Sequence, residues 1–123
     1  MIKSKYISDI VDQLLKLDKQ GREFIPQLEF LSDDEYEYTG AGLFVYFTHE
    51  PKIINYRTKN DNLVLEGVTV KSNELKYDAD CLLFTSNGLI DYLEIHSKDG
   101  QYPNSDILKY TFDIIFIQPN LDE

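Results

Sequence analysis

The chain has 123 residues with 12 Lys and Arg against 22 Asp and Glu, a formal net charge of −10 at pH 7. This charge repels phosphate backbones and anionic lipid surfaces, so it argues against nucleic-acid and membrane partners and favours a basic protein partner. The length and a hydrophobic content of 42% predict a single globular domain over residues 1–123.

Cysteine content and the N-terminal residues indicate a compartment. Cys81 is the only cysteine, so no intrachain disulfide can form, which fits a reducing environment. The first residues lack the apolar core of a signal peptide, and no apolar run approaches the ~20 residues of a membrane helix. We therefore expect a cytoplasmic protein.

The chain begins with its clearest helix. Apolar residues recur at the spacing of one helical face at Ile7, Ile10, Val11, Leu14 and Leu15. Ser4 is expected to cap the helix N-terminus. Gly21 is expected to end the helix in the left-handed conformation.

Short strands are predicted next. Residues 28–30 and 36–38 alternate apolar and polar side chains around an acidic turn at 32–35, which indicates a short hairpin. Five consecutive bulky residues at 43–47 predict a strand covered on both faces, or nearly so. Residues 53–56 form a weaker strand candidate, and residues 59–62 have the composition of a turn.

The second half of the chain contains the strongest strand signals. Residues 63–70 predict a strand with a bulge at Gly67, where the alternation changes phase. Residues 80–84 and 89–96 predict a hairpin whose Asn87-Gly88 dipeptide suits a type I′ turn. The apolar run within residues 110–117 predicts a last strand inside the sheet.

One helix followed by about five or six strands, without strand–helix–strand alternation, predicts an α+β fold. We expect the N-terminal helix to pack on an antiparallel sheet.

Few residues suggest chemistry. Gly40-Ala41-Gly42 precedes a strand and lacks the third glycine of a dinucleotide-binding loop, so a bend is expected there. The only histidines are His49 and His96, and their spacing to Cys81 predicts no metal site; no cofactor is expected. Cys81 has acidic and apolar neighbours and is expected in the core.

A carboxylate and an imidazole near the end of the last hairpin have two interpretations. Glu94 and His96 are two residues apart, so they are expected on one strand face together with Ile90 and Tyr92. They could act as a catalytic base and its orienting carboxylate, or they could be a solvated pair outside the sheet.

Tyrosines interleaved with carboxylates predict a binding surface, because Tyr anchors interfaces and carboxylates steer basic partners. The alternative is a solubilising exterior with ordinary strand tyrosines. The predicted binding residues are Asp33, Asp34, Glu35, Tyr36, Glu37, Tyr38, Asp91, Tyr92, Glu94, His96 and Tyr102.

Three segments resemble small bacterial proteins of the toxin-immunity type. The segments are GAGLFVYF at 40–47, GLIDYLEI at 88–95 and DGQYP at 99–103. The resemblance implies a small acidic cytoplasmic protein that occludes the active site of a toxin domain. We therefore expect a non-enzymatic inhibitor of a basic toxin such as a nuclease. Two alternatives are a small-ligand or hydrolytic domain using Glu94 and His96, and a homodimer formed through an exposed sheet edge.

Overall fold

The computed structural model describes residues 1–59 and 62–115. Helix α1 spans Lys5–Lys16, and the hydroxyl of Ser4 accepts a hydrogen bond from the backbone N–H of Ile7, as predicted for the cap. The buried face of α1 consists of Tyr6, Ile7, Ile10, Val11, Leu14 and Leu15. This apolar face packs on β3 and β4 of the sheet described below.

The predicted role of Gly21 is wrong. Helix α1 ends at Lys16, and Gly21 lies inside a second, short helix, α2 (Lys19–Arg22), without a positive φ. A Cβ at Gly21 would lie 2.7 Å from the carbonyl oxygen of Leu15. The glycine therefore permits a close approach between the two helices.

The predicted hairpin at residues 28–38 is also wrong. A 3₁₀ helix spans Ile25–Phe30, and one continuous strand, β1, spans Leu31–Tyr38. The acidic residues lie within β1, where the register with β2 shifts between Ser32 and Glu35. A bulge inserts an extra residue into one strand, so polar residues can follow one another there without alternation. In the sequence, such a run of consecutive polar residues resembles a turn.

Within residues 1–59 and 62–115, six antiparallel strands form one sheet in the order β1-β2-β5-β4-β3-β6. The remaining strands are β2 (Gly42–His49), β3 (Val64–Lys71), β4 (Ala79–Ser86), β5 (Leu89–Ser97) and β6 (Thr111–Ile114). The predicted α+β architecture, with the N-terminal helix on an antiparallel sheet, is confirmed.

Two local predictions are confirmed by the backbone. Asn87 and Gly88 both have positive φ angles, 53° and 75°, at the turn that joins β4 and β5. In β3 the register shifts between Leu65 and Val68, and Gly67 at this bulge has a φ of 111°.

Two strand predictions differ from the structure. Residues 53–56 belong to a 3₁₀ helix, Pro51–Tyr56, because only Ile53 faces the core and no alternating face develops. Strand β6 lies at a sheet edge, paired with β3 alone among the described strands. The part of its predicted run after residue 115, and residues 60 and 61 of the predicted turn, lie outside the described residues.

Candidate functional site

Among the described residues, α1 packs on one face of the sheet and no helix packs on the other, which we call the open face. The register aligns the open-face side chains in rows across the strands. The first row consists of Glu35, Tyr46, Tyr92, Phe84 and Val64. The second row consists of Glu37, Phe44, Glu94 and Leu82. Their sequence neighbours, such as Val45 and Leu93, are fully buried on the α1 side.

Four aromatic rings meet on the open face, and we call Phe44, Tyr46, Phe84 and Tyr92 the aromatic cluster. The ring of Tyr92 is central: its centroid lies 4.4 Å from Phe84, 5.8 Å from Tyr46 and 6.2 Å from Phe44. Tyr46 is 37% exposed and the other three rings are half-buried. Ring pairs at these distances are mutually stabilising and form a firm apolar platform.

Carboxylates border the aromatic cluster, and we call Glu35, Glu37 and Glu94 the acidic rim. Glu37 accepts a hydrogen bond of 2.8 Å from the hydroxyl of Tyr46, which raises the pKa of Tyr46. Within residues 1–59 and 62–115, no member of the acidic rim forms an ion pair. The rim therefore carries negative charge that its described neighbours do not neutralise.

A shallow groove of about 510 Å³ lies beside the aromatic cluster on the same face. Its lining includes Glu66, Thr69, Asp80, Leu82, Glu94, His96 and Ile115. Asp80 accepts a hydrogen bond from the hydroxyl of Thr69 and lies 3.7 Å from the ammonium of Lys98. In the described part of the chain, no three His, Cys, Asp or Glu side chains are arranged to hold a metal ion.

Asp33 was predicted as a binding residue, but it is only 7% exposed and lies on the α1 side. Its carboxylate accepts hydrogen bonds from the backbone N–H groups of Lys3 and Ser4 and from the hydroxyl of Tyr36. Burial alone would raise the pKa of Asp33, but these three donors lower it below its ordinary value. Asp33 therefore joins the start of α1 to β1.

Three of the predicted tyrosines also lie away from the open face. Tyr36 and Tyr38 pair with Val45 and Leu43, on the α1 side, and their rings stack at 6.2 Å. Tyr102 is 7% exposed, and its hydroxyl shares a hydrogen bond of 2.7 Å with that of Tyr6. Of the predicted tyrosines, only Tyr92 belongs to the open face.

A bulge in β5 explains where the residues of the last hairpin point. Phe84 pairs with Tyr92 and Thr85 with Ile90, so Asp91 has no partner on β4. Glu94 and His96 share the open face with Tyr92, as expected, but Ile90 is fully buried on the opposite face. The expectation for Ile90 is wrong because the extra residue reverses the alternation.

Asp34 and Cys81 complete the predicted residues. The carboxylate of Asp34 is exposed at the bulge in β1, where it accepts a hydrogen bond of 3.2 Å from the hydroxyl of Thr48. Cys81 is buried on the α1 side of β4, as predicted, and burial raises the pKa of its thiol. A thiol held in its protonated form is not a nucleophile.

Sequence reasoning missed three members of the aromatic cluster, Phe44, Tyr46 and Phe84. The run 43–47 predicts a strand covered on both faces, or nearly so, whereas in the structure its aliphatic residues face the core and Tyr46 is exposed. A signal was present, because aromatic and aliphatic residues alternate between positions 43 and 46.

Comparisons with protein-family models, with curated proteins and with solved structures found no match. Among the helices of residues 1–59 and 62–115, none is long and apolar enough to cross a membrane.

Proposed function

We propose that this chain is a non-enzymatic binding protein whose open sheet face captures a basic protein surface. The observation that supports this most is the aromatic cluster bordered by an acidic rim that forms no ion pair with any described residue. Rigid rings supply contact area at low entropic cost, while the carboxylates steer and select a cationic partner. The net charge of −10 extends this attraction beyond the contact surface.

We further propose that the partner is a toxin domain such as a nuclease, and that the chain acts as its immunity protein in the cytoplasm. A nuclease needs a positively charged surface to bind the phosphates of its substrate. The carboxylates of the open face compete with those phosphates for this surface, so the bound chain occludes the active site. The resemblance of residues 40–47, 88–95 and 99–103 to immunity-type proteins supports this assignment.

The test begins with capture of the partner from the native cell, using the wild-type chain as bait, followed by measurement of association rates. We expect the captured protein to be basic, and its association rate to fall about tenfold between about 20 mM and 300 mM NaCl as long-range steering is screened. Co-expression with the captured toxin domain should restore growth. An association rate indifferent to ionic strength, or an acidic partner, would contradict the proposal.

A matched pair of variants locates the surface. Glu37→Gln with Glu94→Gln removes two rim charges and should slow association about threefold to tenfold. Glu29→Gln with Glu50→Gln removes two exposed charges that lie outside the strands of the sheet and should change the rate less than about twofold. Equal effects of the two pairs would mean that net charge acts without a defined surface.

A second candidate function, a small-ligand or hydrolytic domain, is favoured by the groove of about 510 Å³ that contains Glu94 and His96. Within the described residues, no hydrogen bond or ion pair joins these two side chains, so the orienting contact of a catalytic base is missing. His96→Gln separates the candidates. If this variant loses a catalytic activity that the wild type has, while it still binds the partner, the result would favour the hydrolytic domain.

Self-association through the β1 edge is the third alternative. Among the described strands, β1 lies at an edge of the sheet, and it carries exposed carboxylates at Asp34, Glu35 and Glu37. Pairing two copies along this edge would bring like charges together, and charged residues on edge strands are a recognised protection against such pairing. Measurement of the molecular mass in solution at several protein concentrations distinguishes a monomer from a dimer.

A further inference from the structure

The second row of the open face alternates carboxylate and apolar side chains. Phe44 on β2 lies in register between Glu37 on β1 and Glu94 on β5. Because neighbouring strands are about 4.8 Å apart, the backbones of the two glutamates are separated by roughly 10 Å. Their side chains are long enough to reach a group placed over the ring between them. We call Phe44, Glu37 and Glu94 the cation seat.

We infer that the cation seat binds an arginine side chain of the protein partner, with its guanidinium stacked on Phe44. This inference rests on the proposed function and specifies the chemistry of the partner. The face of an aromatic ring attracts a cation, and each flanking carboxylate can accept hydrogen bonds from the guanidinium.

The contacts within the seat support a preformed site. The ring of Phe44 is held by Tyr46 at 6.1 Å and Tyr92 at 6.2 Å. The hydroxyl of Tyr46 donates to one carboxylate oxygen of Glu37, which orients that side chain and leaves its second oxygen available. In the described structure Glu94 has no ion-pair partner, so its carboxylate is available as well.

Other occupants fit the seat less well. An apolar side chain would bury Glu37 and Glu94 without a counter-charge, and burying an unpaired charge is costly. A lysine ammonium is a strongly hydrated point charge that cannot stack on the ring or contact both carboxylates through one planar group. Arginine combines the flat apolar surface, the charge and the forked donors that the three residues require.

The experiment compares two cationic peptides of equal charge, octa-arginine and octalysine, by calorimetric titration of the full chain at about 20 mM salt. We expect the wild type to bind octa-arginine about fivefold more tightly than octalysine, because only the planar guanidinium can stack on Phe44 and present forked donors to both carboxylates. Phe44→Leu and, separately, Glu94→Gln should bring this ratio close to one. The control pair Glu29→Gln with Glu50→Gln should leave the ratio unchanged.

The outcomes distinguish failure of the arginine-binding role of the cation seat from failure of the proposed function. Equal binding of both peptides to the wild type, with weaker binding of both to Glu94→Gln, overturns the seat but leaves capture of cations by the rim. A preference for arginine that persists in both Phe44→Leu and Glu94→Gln also overturns the seat. If neither peptide binds better to the wild type than to Glu37→Gln with Glu94→Gln, the seat and the proposed function both fail.

Discussion

Asp33 shows how one carboxylate in an acidic stretch can serve the fold while its neighbours face solvent. It accepts three hydrogen bonds from Lys3, Ser4 and Tyr36, and its folded-state pKa lies below the ordinary value of 3.8. A lowered folded-state pKa means that the ionised group stabilises the fold. This contribution is fully present above pH 3.8 and is lost as the pH falls through the folded-state pKa.

Replacing Asp33 by Asn should therefore destabilise the protein. One amide oxygen replaces two charged acceptors, and the NH₂ group faces donors, so we expect the free energy of unfolding at pH 7 to fall by about 1–3 kcal/mol. Urea unfolding across pH checks this, and the difference from wild type should shrink below pH 3.8. Asp34→Asn, at the exposed neighbour, should change stability by less than about 0.5 kcal/mol. A large effect at Asp34 and none at Asp33 would contradict this assignment.

The bulge in β3 positions the edge strand and one side of the groove. Gly67 has a φ of 111°, and a Cβ there would lie 2.8 Å from the carbonyl oxygen of Ile115 and 3.1 Å from Leu17 Cδ1. Gly100 has a φ of 78°, and apart from its two chain neighbours no described residue has an atom within 4 Å of such a Cβ. The two glycines thus share a positive φ but differ in their surroundings.

Alanine at these two glycines separates backbone strain from crowding. We expect Gly67→Ala to lower the free energy of unfolding by about 2–3 kcal/mol and Gly100→Ala by about 1 kcal/mol, because only the first adds a steric clash to the strained φ. Denaturant unfolding measures both. Equal losses of stability would show that Ile115 and Leu17 do not crowd the Cβ position of residue 67.

Much of the fold could be predicted because its signals are local. The apolar stripe of α1, the Asn87-Gly88 turn and the phase change at Gly67 each depend on a few consecutive residues. Features that depend on distant partners could not be predicted. Gln27 is fully buried because its amide donates to the carbonyls of Tyr56 and Gly88 and accepts from the N–H of Ile90, contacts that only the folded chain creates.

The candidate site was predictable only in part, for the same reason. Glu94, His96 and Tyr92 were assigned to one face from their spacing, and the structure places them there. The aromatic cluster required the order of the strands, since Tyr46 and Phe84 reach Tyr92 only across β2, β5 and β4. The bulge at Asp91 moved Ile90 to the other face, and no turn residue marks that bulge in the sequence.

At the scale of the whole molecule, charge repulsion opposes folding. The chain carries a net charge of −10, and every ion pair in residues 1–59 and 62–115 joins side chains that are at least 36% exposed. Exposed pairs contribute little, so screening should relieve more repulsion than the attraction it removes.

Added salt should therefore stabilise the protein. We expect the Tm to rise by about 3–6 °C between about 20 mM and 500 mM NaCl, which corresponds to repulsion worth about 1 kcal/mol. Calorimetry measures the shift, and choline chloride at the same ionic strength distinguishes screening from sodium binding. A Tm that falls with salt would mean that the ion pairs outweigh the repulsion.

Because Cys81 is buried, the reactivity of its thiol reports the opening of the fold. The thiol lies on β4 beneath the groove and is 1% exposed, with α1 packed over that strand. A thiol-modifying reagent reaches the sulfur only when the helix lifts or the central strands separate. Because the chain has no second cysteine to react with the reagent, the rate of labelling in native buffer reports the opening of this region alone. A bound partner that slows the labelling stabilises the closed molecule.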